Sequence, residues 1–175
     1  MPNQPNLSVG IVIPTLNAQN DLEKNLKVID QKQNIVLVVD SNSSDKTLEI
    51  AKKYKCKISI ENNFNHGLTR ERARKILNTD IVVFLTQDAY IESQESINRL
   101  VKPIKDGKAS IAYGRQIPRK NSSIFESFPI HFNYPNLSNI RSIESVKENG
   151  VYTFFCSDNF GAYLNKDLDE IGGFE

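Results

Sequence analysis

Ile35-Val-Leu-Val-Val39 runs directly into Asp40-Ser-Asn-Ser-Ser-Asp45, and this junction decides the fold. Five consecutive apolar residues, most of them β-branched, suit a strand buried on both faces. The six polar residues behind them are the types that form turns and cap helices. Leu48 and Ala51 then continue at helical spacing toward Tyr54. The same cycle of strand, polar turn and helix recurs on either side. Upstream, Val9-Gly-Ile-Val-Ile13 is a strand closed by Pro14, and Leu22, Leu26 and Ile29 mark one face of a helix. Downstream come Lys57 to Ile60, a polar loop from Glu61 to Gly67, a helix from Thr69 to Leu77, and the strand Ile81-Val-Val-Phe-Leu85. Strands separated by helices, each strand apolar on both faces, predict an α/β fold whose mainly parallel central sheet is covered by helices on both faces.

The rest of the chain is less regular. Ile97, Leu100, Val101 and Ile104 predict a helix, which leads to Ser110 to Gly114. From Arg115 to Tyr134, Pro118 and Pro129 interrupt a segment rich in Ser, Asn and phenylalanine, which reads as a packed irregular excursion over the sheet. Regular patterning returns at Val151-Tyr-Thr-Phe-Phe155. A length of 175 residues suits one domain. Within it, 7–90 forms one half and 91–175 the other.

Composition excludes several function classes. Lys and Arg exceed Asp and Glu by one, so no charge excess points to nucleic acid. No apolar run approaches the roughly 20 residues that span a bilayer, and Met1 to Asn6 has no charged stretch leading into an apolar one. A cytoplasmic location is the expectation. Cys56 and Cys156 lack metal-ligand or disulfide-framework spacing and read as buried free thiols.

In open α/β sheets ligands bind beyond the carboxyl ends of the strands. Those positions read Pro14-Thr-Leu-Asn17, Asp40-Ser-Asn-Ser-Ser-Asp45, Asn65-His-Gly67 and Thr86-Gln-Asp-Ala89, all polar. Neither GxGxxG nor GxxxxGK[ST] occurs, which removes the two commonest nucleotide-binding readings of such a sheet.

Six pieces in order carry a resemblance: Val12-Ile-Pro-Thr-Leu-Asn17; Val38-Val-Asp-Ser-Asn-Ser-Ser-Asp-Lys-Thr47; Asn63-Phe-Asn-His-Gly67 with Thr69-Arg70; Phe84-Leu-Thr-Gln-Asp-Ala89; Ala112-Tyr-Gly-Arg-Gln116; and Phe154-Phe-Cys-Ser157 leading to Ile171-Gly-Gly-Phe174. Together they resemble the family 2 glycosyltransferases of the GT-A fold, a Rossmann-like sandwich. The fourth and fifth pieces resemble the dTDP-rhamnosyltransferase group. The resemblance implies inverting transfer of a sugar, rhamnose in that group, from a dTDP- or UDP-sugar to a hydroxyl of a saccharide or lipid-linked saccharide. It also implies a Mg²⁺ or Mn²⁺ cofactor and a role in cell-surface polysaccharide synthesis. A lipid-linked acceptor would bring the protein to the inner face of the membrane.

The residues implied in nucleotide binding are Pro14, Thr15, Asn17, Asp40, Ser41, His66, Gly67, Arg70 and Gln87. Asp40 can accept the N3–H of uracil or thymine, a donor that cytosine lacks, or it can cap its own turn. Pro14 and Thr15 line a nucleobase and ribose pocket or form an ordinary strand-ending turn. Asp45 serves the following helix N-terminus. Arg70 shares a helix face with Arg74, while Arg72 points elsewhere. By the resemblance Arg70 faces the donor diphosphate, where a guanidinium can bind two oxygens at once. Glu71 departs from the family's usual Asn. His66 contacts the donor or orders its loop, and His131 is a packing residue.

Asp88 is the implied metal ligand. The family's Asp-x-Asp has two acids, but here Thr86 replaces the first. One carboxylate still suffices chemically when diphosphate oxygens and water complete the octahedron; the alternative is that Asp88 caps the next helix. The family's general base follows its Gly-Gly-Phe, so the expected base lies beyond Glu175, with Asp158 as the candidate inside this chain. By that pattern the chain is C-terminally truncated. A non-catalytic nucleotide-sugar binding module is the alternative function. A nucleotidyltransferase would show an early glycine-rich loop, and Val12 to Asn20 contains no glycine.

Overall fold

The computed structural model describes residues 7–119 and 121–175. Met1 to Asn6, on which the reading of no secretory signal rests, lies outside the described residues. Six strands, β1 (Val9–Thr15), β2 (Asn34–Asp40), β3 (Lys57–Ile60), β4 (Ile81–Leu85), β5 (Ile111–Tyr113) and β6 (Phe160–Leu164), form one sheet. Its order is β3-β2-β1-β4-β6-β5. The first four are mutually parallel, and β6 runs antiparallel to both its neighbours.

Strand alternation distributes the core to two faces. Val9, Ile11 and Ile13 of β1, with Val36, Val38, Ile81, Val83 and Leu85, pack against α1 (Gln19–Val28), α2 (Thr47–Lys53) and α4 (Gln94–Lys105). Helix α4 contributes the four apolar residues its spacing predicted, all buried. On the opposite face, Val12, Leu37, Val39, Val82, Phe84 and Tyr163 meet α3 (His66–Leu77) and a short helix over Asn165–Glu170 through Ala73, Leu77 and Leu168. The sheet is therefore sandwiched as expected.

Several local readings need correction. Pro14 lies inside β1 rather than beyond it, paired with Val39. Pairing of β1 with β4 has already stopped at Val12–Phe84, so the missing proline donor costs no ladder bond. Strand β3 is an edge strand and is half exposed rather than apolar on both faces. Helix α3 starts at His66, three residues before the predicted start, because the Asn65 side chain caps it by accepting from the Leu68 amide at 2.9 Å. The excursion contains α5 (Ile124–Asn133), which runs through Pro129 and is started by a capping box between Ser123 and Glu126. None of its residues is buried. Residues 150–154 form a 3-10 helix, and the regular strand falls later, at β6. Gly161 and Ala162 break up the apolar run there, and at Gly161 the Ser157 carbonyl comes within 3.0 Å of where a Cβ would lie, a tight fit for any side chain. The two cysteines are free but only partly buried. Burial pushes the Cys56 thiol up to about 11.

Candidate functional site

The turns after β1 and β2 are fastened to each other. Thr15 is buried, and its hydroxyl donates to Asp40 Oδ1 at 3.0 Å. The Ser43 amide donates to Asp40 Oδ2 at 2.8 Å and the Ser43 hydroxyl to Oδ1 at 2.5 Å. Asp40 thus closes its own turn, with 0% exposure. Asn17 adopts φ 50°, a left-handed conformation that Asn tolerates. Its Oδ1 accepts from the Ser44 amide at 2.9 Å, and its own amide donates to Ser43 Oγ at 2.8 Å. Ser41 is half-buried, and its amide donates to the Thr15 carbonyl at 2.9 Å. Pro14 is half-buried beside them.

Asp45 holds the helix starts, as its position predicted. Oδ1 accepts from the Thr47 amide at 2.9 Å, and Oδ2 accepts from the Gln19 amide at 3.1 Å. Burial acts to raise its pKa, but these bonds and the one from the Thr47 hydroxyl outweigh it and hold the carboxyl below its ordinary value. Gln87 extends the sheet with its side chain. Its Oε1 accepts from the Leu16 amide at 2.7 Å, and its Nε2 faces the Leu16 carbonyl at 3.4 Å.

Helix α3 presents Arg70 to the end of β4. The guanidinium lies over the Phe84 ring, with Cζ 5.7 Å from the ring centroid. Nη1 donates to the His66 carbonyl at 3.1 Å, Nη2 lies 3.5 Å from Asp158 Oδ2, and Nε is buried without a hydrogen-bond partner among the described residues. His66 itself is exposed, its ring edge-on to Phe64. Arg72 points away to Glu61, 2.9 Å distant.

Gly67 is occupied by packing: a Cβ there would lie 1.4 Å from the Glu175 carbonyl oxygen. Residues 173–175 cross α3 at this point. Glu71, where the family's Asn was expected, receives it. The Phe174 amide donates to Glu71 Oε2 at 3.0 Å, and Gly173 passes so close that a Cβ would meet the same oxygen at 2.3 Å. Arg74, buried on the inner face of α3, binds Glu71 twice at 2.6 Å and Asp169 at 2.7 Å. Burial works to raise the Glu71 pKa, but bonds from Arg74, Lys75 and the Phe174 amide prevail and bring it to about 2. Sequence reasoning missed this cluster. Its only local trace was Glu71 and Arg74 at i, i+3.

At the end of β4 the Thr86 amide donates to the Asn159 carbonyl at 3.0 Å, which sets Asp158 beside this strand end. The Thr86 hydroxyl is buried without a partner among the described residues. Asp88 is exposed and does not cap α4, whose N-cap is Ser93. Its carboxylate makes no hydrogen bond or ion pair among the described residues, while Arg119 reaches its carbonyl at 3.5 Å. Among the described residues no three His, Cys, Asp or Glu side chains converge. A lone, solvent-facing carboxylate fits a hard divalent ion whose other ligands are phosphate oxygens and water. A cavity of about 1070 Å³ lies elsewhere, between β5, α4 and residues 132–156, and touches none of the predicted site residues.

The family model "Glycosyl transferase family 2" matches residues 10–172. The O-antigen chain rhamnosyltransferase RfbN of Salmonella typhimurium is 34% identical over 176 residues, covering 96% of this chain and 56% of that protein. The chain thus spans about half the length of the curated relatives it matches. Among solved structures, mannosyltransferase PcManGT from Pyrobaculum calidifontis, in complex with GDP-Man and Mn²⁺, superimposes with a TM-score of 0.66 at 19% identity, covering 97% of this chain and 48% of that one. Glucosyl-3-phosphoglycerate synthase from Mycobacterium tuberculosis, with Mn²⁺, UDP and glucosyl-3-phosphoglycerate, gives 0.64 at 17% identity over 93% and 58%. The fold is that of the GT-A glycosyltransferases.

Proposed function

The chain belongs to glycosyl transferase family 2, and from that premise we propose that it carries the donor site of an inverting glycosyltransferase. The donor is a dTDP- or UDP-sugar, rhamnose by analogy with the O-antigen rhamnosyltransferases it is similar to. The acceptor is a hydroxyl of a saccharide or lipid-linked saccharide in cell-surface polysaccharide synthesis. Acceptor lipid would draw the enzyme to the inner face of the membrane; no helix among the described residues is long and apolar enough to cross one.

The observation that carries this reading is the pairing of two incompletely satisfied groups at one end of the sheet. Among the described residues Asp88 is an exposed carboxylate without a protein partner, and Arg70 is a mostly buried guanidinium whose Nε has none. Asp88 would hold a divalent cation, Mg²⁺ or Mn²⁺, which when bound neutralises charge on the leaving diphosphate. Arg70 donates to the diphosphate oxygens, and its placement over Phe84 keeps the guanidinium plane fixed while charge develops. Thr15, Ser41 and Asn17 form the floor under base and ribose, held by Asp40 and Ser43. Asp40 is fully buried against Thr15 and Ser43, so its acceptance of the uracil or thymine N3–H requires the Ser43 turn to open on binding.

Titration of the chain with UDP, with and without Mn²⁺, tests the reading. Mn²⁺ is expected to strengthen UDP binding in the native chain and not in Asp88→Ala, with metal-free binding unchanged. An intact Mn²⁺ effect in the variant would remove Asp88 from the site.

A further inference from the structure

Arg70 is an incompletely satisfied cation. A guanidinium carries five N–H donors, yet only Nη1, bonded to the His66 carbonyl at 3.1 Å, has a hydrogen bond of good length. Its side chain is 11% exposed, and its Nε is buried with no hydrogen-bond partner among the described residues. Among the described residues the one anion paired with it is Asp158, held loosely. Its Oδ2 lies 3.5 Å from Nη2, and its side chain is 59% exposed. Its other oxygen takes only a long bond of 3.4 Å from the Tyr163 hydroxyl, itself 3.5 Å from Cys156 Sγ. No bidentate fork forms, although carboxylates readily make one with arginine.

Resting on the reading that Arg70 binds the donor diphosphate, we propose that Asp158 is the resident counter-ion the diphosphate displaces. Asp158 is then a residue that sets donor affinity rather than a proton acceptor. Before the donor binds, it neutralises the guanidinium on the Phe84 ring and keeps it aimed at the end of β4. On donor binding the single long contact is exchanged for phosphate oxygens, which carry more charge and can fork. The exchange costs little because a partly exposed ion pair with one contact is weak. It also favours the doubly charged group over a singly charged competitor, since only the former outbids the carboxylate.

Calorimetric titration of the 175-residue chain and its variants with UDP and with uridine, both with Mn²⁺, decides the matter. Asp158→Asn is expected to bind UDP roughly three- to fivefold more tightly, the size of a partly exposed pair removed, with uridine unchanged. Arg70→Gln should weaken UDP binding, and adding Asp158→Asn to it should have no further effect. If Arg70→Gln weakens UDP binding while Asp158→Asn leaves it unchanged or weaker, the counter-ion role fails and the diphosphate role of Arg70 stands. If Asp158→Asn tightens binding equally without Arg70, the effect does not run through the guanidinium and the proposal fails. If Arg70→Gln leaves UDP affinity unaltered, both fall. Circular dichroism of each variant separates these outcomes from misfolding, and Asp158→Ala is the second variant should Asn disturb the 155–159 segment.

Discussion

Replacing Glu71 with Gln should destabilise the protein by an amount that depends on pH in a specific way. The carboxylate has a pKa of about 2 in the fold against an ordinary 4.5, because Arg74, Lys75 and the Phe174 amide all donate to it. Between those values the unfolded chain binds a proton that the folded chain does not, so stability rises with pH across that interval. A depression of this size corresponds to about 3 kcal/mol, at 1.36 kcal/mol per unit. The side chain is only 13% exposed, so solvent screening takes a minor part of it. Above pH 5 the stabilisation is fully present; toward pH 2 it is lost. Glu71→Gln should therefore lower Tm by about 6–12 °C at pH 7, and the gap should close as the pH falls from 4.5 to 2. Other depressed carboxylates, such as Asp45 and Asp80, steepen both curves alike and cancel in the difference. Thermal and urea unfolding of the two proteins at pH 7, 5, 4 and 3 provides the comparison. A destabilisation that stays constant across that range would refute the ion-pair account and leave Glu71 as a shape-filling residue.

Asp40→Asn should destabilise the protein by about 1–3 kcal/mol, because a fully buried carboxylate that accepts from Thr15 and Ser43 is replaced by an amide with two donors to place. Native protein should be stabilised against heat by UDP and dTDP but not by CDP or GDP, and equal stabilisation by all four would sink the base assignment. Gly67→Ala should cost about 1–3 kcal/mol by overpacking against the Glu175 backbone, and proteolysis should then cut within 171–175 faster. Unchanged stability and protease resistance would show that this contact contributes nothing.

Periodicity and composition were enough to read the architecture of the first half. Continuous β-branched runs separated by helical spacing can bury their side chains only in a parallel sheet covered on both faces, and the strands of β1, β2 and β4 follow directly. Helix α4 was legible for the same reason, with its four apolar residues on one stripe. Family-like motifs in order added the GT-A fold. What local pattern could not reveal depends on partners distant in sequence. Strand β6 contains Gly161 and Ala162, which look like weak strand formers until β4 and β5 close on both sides of them. Helix α5 was hidden by Pro129, although its Ser123–Glu126 capping box was visible in the sequence. At the site, sequence placed Asp40, Arg70 and Asp88 at the correct strand ends and on the correct helix. Only the tertiary structure decided their partners. Asp40 closes a turn with Ser43, Arg70 meets Asp158 across 88 positions, and Glu71 receives Phe174 across 103. A side chain's charge state and its free valences are set by whichever groups the fold brings within hydrogen-bond reach, and spacing along the chain carries no record of those.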